Sequence, residues 1–206
     1  AGMVVQSLTN SMGEMVIACN VIIMRVDGFA MMPNFSFGQA MSVYTGQNVG
    51  AGKPERIHQG VKQGGLMALG FASLITVILL FLGKYLFAFF TDTAELIDLA
   101  TRMMRILAFG YICISVTQVL GGVMRGAGDT VTPMWISVVS IILLRVPTAY
   151  LLAHLTRTDA WPHGQPVALF LSLLISWTLG MIISIITFRI GKWKRKAFPE
   201  PETSAK

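Results

Sequence analysis

The sequence predicts an all-α fold, a polytopic transmembrane helix bundle of about five full spans plus the end of a sixth. Three observations carry this. Val167 to Phe188 runs for twenty-two residues without a charge, and roughly 20 apolar residues at about 1.5 Å each cross a hydrocarbon core about 30 Å thick. Hydrophobic residues make up 54% of the chain and charged residues only 13%, against about 25% charge in soluble domains, and mean hydropathy is +0.66. The connectors between apolar stretches alternate in charge, as a chain threaded back and forth through a bilayer requires.

From the N-terminus, Ala1 to Thr9 reads as the last turns of a helix, followed by a polar connector near Asn10 to Glu14. The first full span, about Met15 to Val49, carries Arg25 and Asp27. Gly64 to Gly83 and Ile106 to Met124 are uncharged, and Val131 to Leu155 is interrupted only by Arg145, Pro147 and His154. Arg189, Lys192, Lys194, Arg195 and Lys196 follow the last span directly and anchor its end on the cytoplasmic side. Counting back from there, the connectors with Lys53, Arg56, Lys62 and Arg125 fall inside, and the acidic Asp92, Glu95, Asp98 connector falls outside. The expected location is the cell (inner) membrane, multi-pass, with a cytoplasmic C-terminus. The chain has no Met at position 1 and no basic n-region with a cleavage site, so it is expected to be a fragment of a larger protein.

The net charge of +6 is therefore a matter of topology and not a nucleic-acid footprint. Cys19 and Cys113 lie in apolar stretches without metal or disulfide spacing, and His58, His154 and His163 are scattered. No nucleophile motif such as GxSxG is present. No enzyme, metal site or cofactor is expected.

An internal repeat stands out. Gly46-Gln-Asn-Val-Gly50-Ala51-Gly52 and Gly122-Val-Met-Arg-Gly126-Ala127-Gly128 share the pattern GxxxGAG, seventy-six residues apart, at the inner ends of two spans of the same direction. Small residues four apart let a neighbouring backbone come close, and the trailing Gly suits a left-handed helix stop. Packing plus termination is the plainer reading; a hinge or cytoplasmic gate formed by these glycines with Pro33 is the sharper one.

Charges at membrane depth are costly and must face protein or water. Arg25, Asp27 and Arg145 are thus candidates for a substrate and cation pathway. A buried pair that orients the spans is the alternative. Arg25 and Asp27, two residues apart, cannot pair on one helix face; Arg145 is one possible partner for Asp27. Asn34 and Gln39 form a polar patch beside Pro33, which removes a helix hydrogen bond. Tyr111 and Gln118, seven apart, share a face that could line the pathway or pack against another helix. The Met and Phe content would give adaptable walls to a permissive site.

Taken in order, Arg25-Val-Asp27-Gly28-Phe29, Pro33, Gly38-Gln39-Ala40, Gly46-Gln47-Asn48-Val49-Gly50-Ala51-Gly52-Lys53, Arg125-Gly126-Ala127-Gly128-Asp129-Thr130 and Arg145-Val-Pro147 resemble the multidrug and toxic compound extrusion (MATE) transporters over almost the whole chain. The resemblance implies a twelve-helix, two-lobe fold of which residues 1–196 are the C-terminal six-helix lobe, incomplete at its N-terminus, with 197–206 a disordered cytoplasmic tail. It also implies export of amphipathic, cationic compounds in exchange for H+ or Na+ by alternating access, with the missing N-terminal lobe as partner. Sodium-coupled members use acids in helices seven and ten, and the tenth-helix equivalent here has none, which puts a sodium site of that type in doubt. The competing expectations are a lipid-linked oligosaccharide flippase of the same superfamily, which would want several cavity Arg or Lys for a pyrophosphate, and a non-transporting truncated membrane protein.

Overall fold

The computed structural model describes residues 2–159 and 161–198. These form α1 (Gly2–Ser11), α2 (Glu14–Gly50), α3 (Pro54–Ala88), α4 (Ala94–Gly126), α5 (Val131–Val138), a π-helical segment (Val139–Leu144), α6 (Arg145–Leu155), α7 (Val167–Ile190) and α8 (Lys192–Ala197). Among the described residues, five stretches are long and apolar enough to cross a membrane: α2, α3, α4, the combined Val131–Leu155 run, and α7.

The connectors are shorter than the charge pattern suggested. Lys53 to Lys62 was expected to link two spans, yet α3 starts at Pro54 and the turn occupies only Ala51 to Lys53. Likewise α4 starts at Ala94 and absorbs most of the acidic connector that carries Asp92, Glu95 and Asp98. The cause is local: Pro54 opens α3 with a preset φ, and Glu55 and Glu95 sit in first turns, where a negative charge complements the helix dipole. At 37 residues, α2 is about 55 Å long at 1.5 Å per residue and outreaches the hydrocarbon core.

α4 is the central helix. More than half of its apolar stretch is buried, against a third or less in the other four, and it packs on α2, α3 and α7. Thr76 of α3 donates its hydroxyl to the Ala108 carbonyl of α4 at 2.7 Å, one of the interhelical polar contacts that lipid-embedded bundles use. α3 turns Met67, Phe71, Leu74, Phe81 and Tyr85 outward, all exposed, which is the face a bilayer would cover.

The fourth apolar run is not a plain α-helix. The Arg145 amide donates to the Ser140 carbonyl five residues back. Pro147 has no amide to offer the Leu143 carbonyl, and one residue on, Thr148 donates its hydroxyl to Leu144 O. A widened turn ahead of the proline results, and π-segments of this kind recur at functional places.

The tight places are small-residue crossings. A side chain on Gly122 would run into the Gly38 carbonyl, and one on Gly126 into the Ser42 carbonyl, so α2 and α4 touch backbone to backbone along Gly38, Ser42 and Gly46. Both GxxxGAG repeats then stop their helices identically. In the first, Gly52 N donates to Val49 O and Lys53 N to Asn48 O; in the second, Gly128 N donates to Arg125 O and Asp129 N to Met124 O. With φ of +66° and +86° at Gly52 and Gly128, each is a Schellman cap. Close packing is confined to Gly122 and Gly126 of the second repeat; a Cβ on Gly46 would make ordinary contact and one on Gly50 would meet open space.

At the C-terminal end of α7, Gly191 (φ +74°) turns the chain into α8. Trp193 folds back, 2% exposed, donating its indole N–H to Phe188 O at 3.1 Å and stacking on the Phe188 ring. Lys196 reaches Asp129 in the α4–α5 turn at 2.7 Å. Ala197 and Phe198 belong to this short helix and its end; the expected tail from 199 onward lies outside the described residues.

Candidate functional site

A cavity of about 730 Å³ opens between α1, α2, the π-segment, α6 and α7, and Asp27 and Arg145 both line it. Asp27 reaches it from α2, one face with Asn20 seven residues earlier, and both contribute to the lining. Arg145 arrives at the end of the π-segment, where the extra residue per turn re-aims the helix.

Tyr111 of α4 stands behind Asp27. Its ring is fully buried, inclined 44° to Trp177 at 5.9 Å between centroids, and its hydroxyl donates to Asp27 Oδ1 at 2.7 Å. Gly110 makes this arrangement possible, because a Cβ there would collide with the Trp177 ring. A hydroxyl has one proton, so the Met104 sulfur 3.6 Å away is a neighbour and not a second acceptor.

Asp27 and Arg145 share the cavity but form no ion pair within 4.0 Å; among the described residues the ion pairs are Lys84–Asp98 and Lys196–Asp129. Arg145 Nε is buried with no partner. The partner that the sequence offered for Asp27 is thus replaced by a tyrosine, and a guanidinium stands nearby with donors to spare.

The other expected pathway residues lie elsewhere. Arg25 is exposed, its guanidinium 5.9 Å from the Phe90 ring just past the C-terminal end of α3, so it leaves the bundle interior. Asn34 is buried at 1% exposure with an unpartnered amide nitrogen, outside the cavity lining. Gln39 is exposed. Gln118 is half-buried and backs onto Gly38, whose missing side chain gives it room; the face it shares with Tyr111 packs against α2 instead of lining the cavity. Pro33 lies inside the unbroken α2.

Sequence reasoning missed several lining residues. Gln6 and Asn10, hydrogen-bonded to each other at 2.9 Å, come from α1, and Ser176 and Trp177 from α7. The i, i+4 amide pair was a readable signal, as was Asn20 one heptad before Asp27. Among the described residues no three His, Cys, Asp or Glu side chains gather as a metal site would need.

The sequence model of the MatE family matches residues 1–151. This chain belongs to the MatE family. It is 26% identical over 172 residues to the probable multidrug resistance protein YoeA of Bacillus subtilis, a match that covers 82% of this chain and 37% of that protein. Two solved structures of multidrug resistance MATE family transporters of the MOP superfamily share the fold. An inward-facing one has a TM-score of 0.79 at 16% identity, covering 98% of this chain and 44% of that one. An outward-facing one has a TM-score of 0.80 at 20% identity, covering 98% and 46%. The MATE chain described here thus spans about two fifths of the length of the curated relatives it matches.

Proposed function

We propose that this chain forms the C-terminal lobe of a secondary active exporter in the cell membrane, with its C-terminus cytoplasmic and its other lobe supplied by the rest of a longer polypeptide. The lobe exchanges H+ or Na+ for amphipathic, cationic compounds by alternating access. Asp27 is the exchange group: a carboxylate at membrane depth, open to a cavity on one side and held from behind by Tyr111. That juxtaposition is the observation that carries the reading, because a carboxylate at such depth is costly and persists where a cation or proton uses it. Arg145, which lines the same cavity without an ion pair within 4.0 Å among the described residues, competes with the arriving cation for the same carboxylate and disfavours a permanently occupied state.

The near-equal likeness to inward- and outward-facing relatives supports a lobe that moves as one body, as rocking transporters require. The stiff backbone-to-backbone crossing of α2 and α4 fits that role, and in this reading the hinge or cytoplasmic gate lies at the capped turns framed by Gly46, Gly50, Gly52, Gly122, Gly126 and Gly128, with Pro33 as a weak point within α2. A flippase would want several cationic groups for a pyrophosphate, and Arg25 points away from the cavity, leaving Arg145 as its arginine. The test is transport by the full-length protein in vesicles. Uptake or release of a dye-like cation driven by an imposed pH or Na+ gradient supports the exporter; glycolipid translocation without it overturns the exporter in favour of the flippase.

A further inference from the structure

A second cavity lies at the end of the bundle where α7 passes into α8. It measures about 610 Å³ and lies between the start of α3 and α8, lined by Pro54, Ile57, His58, Trp193, Lys194, Arg195 and Phe198. Its floor is apolar: Ile57 and Trp193 are buried at 1% and 2% exposure. Its rim is basic. Of the three consecutive cations of α8, Lys196 is already paired with Asp129. Lys194 and Arg195 are exposed and have no acid within 4.0 Å among the described residues, while the Lys194 ammonium lies 5.7 Å from the Trp193 ring.

The cavity has fixed walls. Gly191 turns α8 back against the bundle, Trp193 is pinned to Phe188 by its indole bond, and Lys196 ties the last turn to the α4–α5 loop. On the other wall, Pro54 and the Schellman stop of α2 fix the start of α3. The cavity therefore sits where the last span ends, with an apolar floor, a tryptophan of the interfacial kind and two cations that have no acidic partner among the described residues.

We propose that this cavity binds the phosphate headgroup of an anionic phospholipid of the inner leaflet, with Lys194 and Arg195 on the phosphate and the Ile57–Trp193–Phe198 floor against the first carbons of the acyl chains. A guanidinium and an ammonium on adjacent residues match a phosphodiester. Basic residues immediately inside a span are attracted to an anionic leaflet, and a built cavity converts that diffuse attraction into a site. A soluble anion would have little use for the apolar floor, which selects the lipid. The inference rests on the membrane reading and not on transport, so it survives failure of the exporter proposal.

The experiment uses the purified full-length protein in detergent, with phosphatidylglycerol or phosphatidylcholine added and retained lipid counted by native mass spectrometry. Retention of phosphatidylglycerol over phosphatidylcholine, reduced about ten-fold in a Lys194→Gln/Arg195→Gln variant but unchanged in Lys53→Gln/Lys62→Gln, is the expected result. The first variant leaves Lys196 and Trp193 in place, and an unaltered Trp193 emission shows that α8 is still docked. Equal retention of both lipids, equal losses in the two variants, or displacement of the lipid by millimolar inorganic phosphate each overturns the proposal; the last would reassign the site to a soluble anion.

Discussion

The Tyr111 hydroxyl and Asp27 Oδ1 meet at 2.7 Å although 84 residues separate them in the chain. The bond ties α4, the most buried helix, to the single acid of α2 that faces the larger cavity. It fixes the carboxylate rotamer and leaves its second oxygen for whatever enters. Asp27→Asn in the full-length protein should abolish gradient-driven efflux while leaving membrane insertion intact. Tyr111→Phe should retain efflux at a reduced rate, since a hydrogen bond to a charged group is worth about 1.5–3 kcal/mol. Vesicle transport with matched protein levels measures both, and an Asp27→Asn protein that pumps normally returns Asp27 to a purely structural part.

The α2–α4 crossing separates glycines that look alike in sequence. Gly122→Val and Gly126→Val drive a side chain into the carbonyls of Gly38 and Ser42, which are backbone and cannot step aside. Each should cost more than about 2 kcal/mol, at the severe end of overpacking. Gly50, helical with open space around it, should accept Ala with a gain of up to about 1 kcal/mol in helix propensity. Thermal unfolding in detergent reads the difference. Equal shifts for Gly50→Ala and Gly126→Val would mean the helices do not cross where described.

The number of spans, their order and the helix stops were legible in the sequence because hydropathy and Gly spacing are local signals. Asp27 and Arg145 were legible as candidates for the same reason: a charge inside an apolar run is conspicuous. Their relation was not, since the pairing of Asp27 with Tyr111 depends on how far α2 and α4 slide past each other. The Gly38, Gly122 and Gly126 contacts fix that offset, and Gly38 became informative only once its partner was known. Arg25 was equally conspicuous and faces outward, because hydropathy reports depth and says nothing of which side of the helix points inward. The π-segment left a trace in Pro147, but a proline alone does not distinguish a kink from a widened turn.

The paired Schellman caps give a prediction free of packing. Gly52 and Gly128 have positive φ and open space around the place of a Cβ, so only backbone preference opposes a side chain. Gly52→Ala and Gly128→Ala should each destabilise by about 1–2 kcal/mol, and Asn at either position by less, since Asn tolerates the left-handed region. Melting temperatures of the four variants test this. An Ala no worse than Asn at Gly128 would show that the turn does not hold a left-handed residue.

The Lys196–Asp129 contact makes docking of α8 dependent on pH. Asp129 lies in the α4–α5 turn, 2% exposed. Burial on its own would raise its pKa, but the hydrogen bonds from Lys196 and from the Thr132 hydroxyl (2.6 Å) and amide outweigh that and hold the carboxyl below its ordinary value. A depressed pKa contributes stability that is fully present above the unfolded value, about 3.9, and is lost as pH falls through the lower folded value. Because Lys196 is half exposed, the contribution is small, on the order of 1 kcal/mol. The emission of Trp193, taken as the difference between the protein and a Trp193→Phe variant, should stay constant from neutral pH down to about 4 and shift to the red below it. Asp129→Asn should already show part of that shift at neutral pH and lose the acid step. If instead Asp129→Asn keeps the same acid midpoint, another carboxylate governs the release and Asp129 is not the latch.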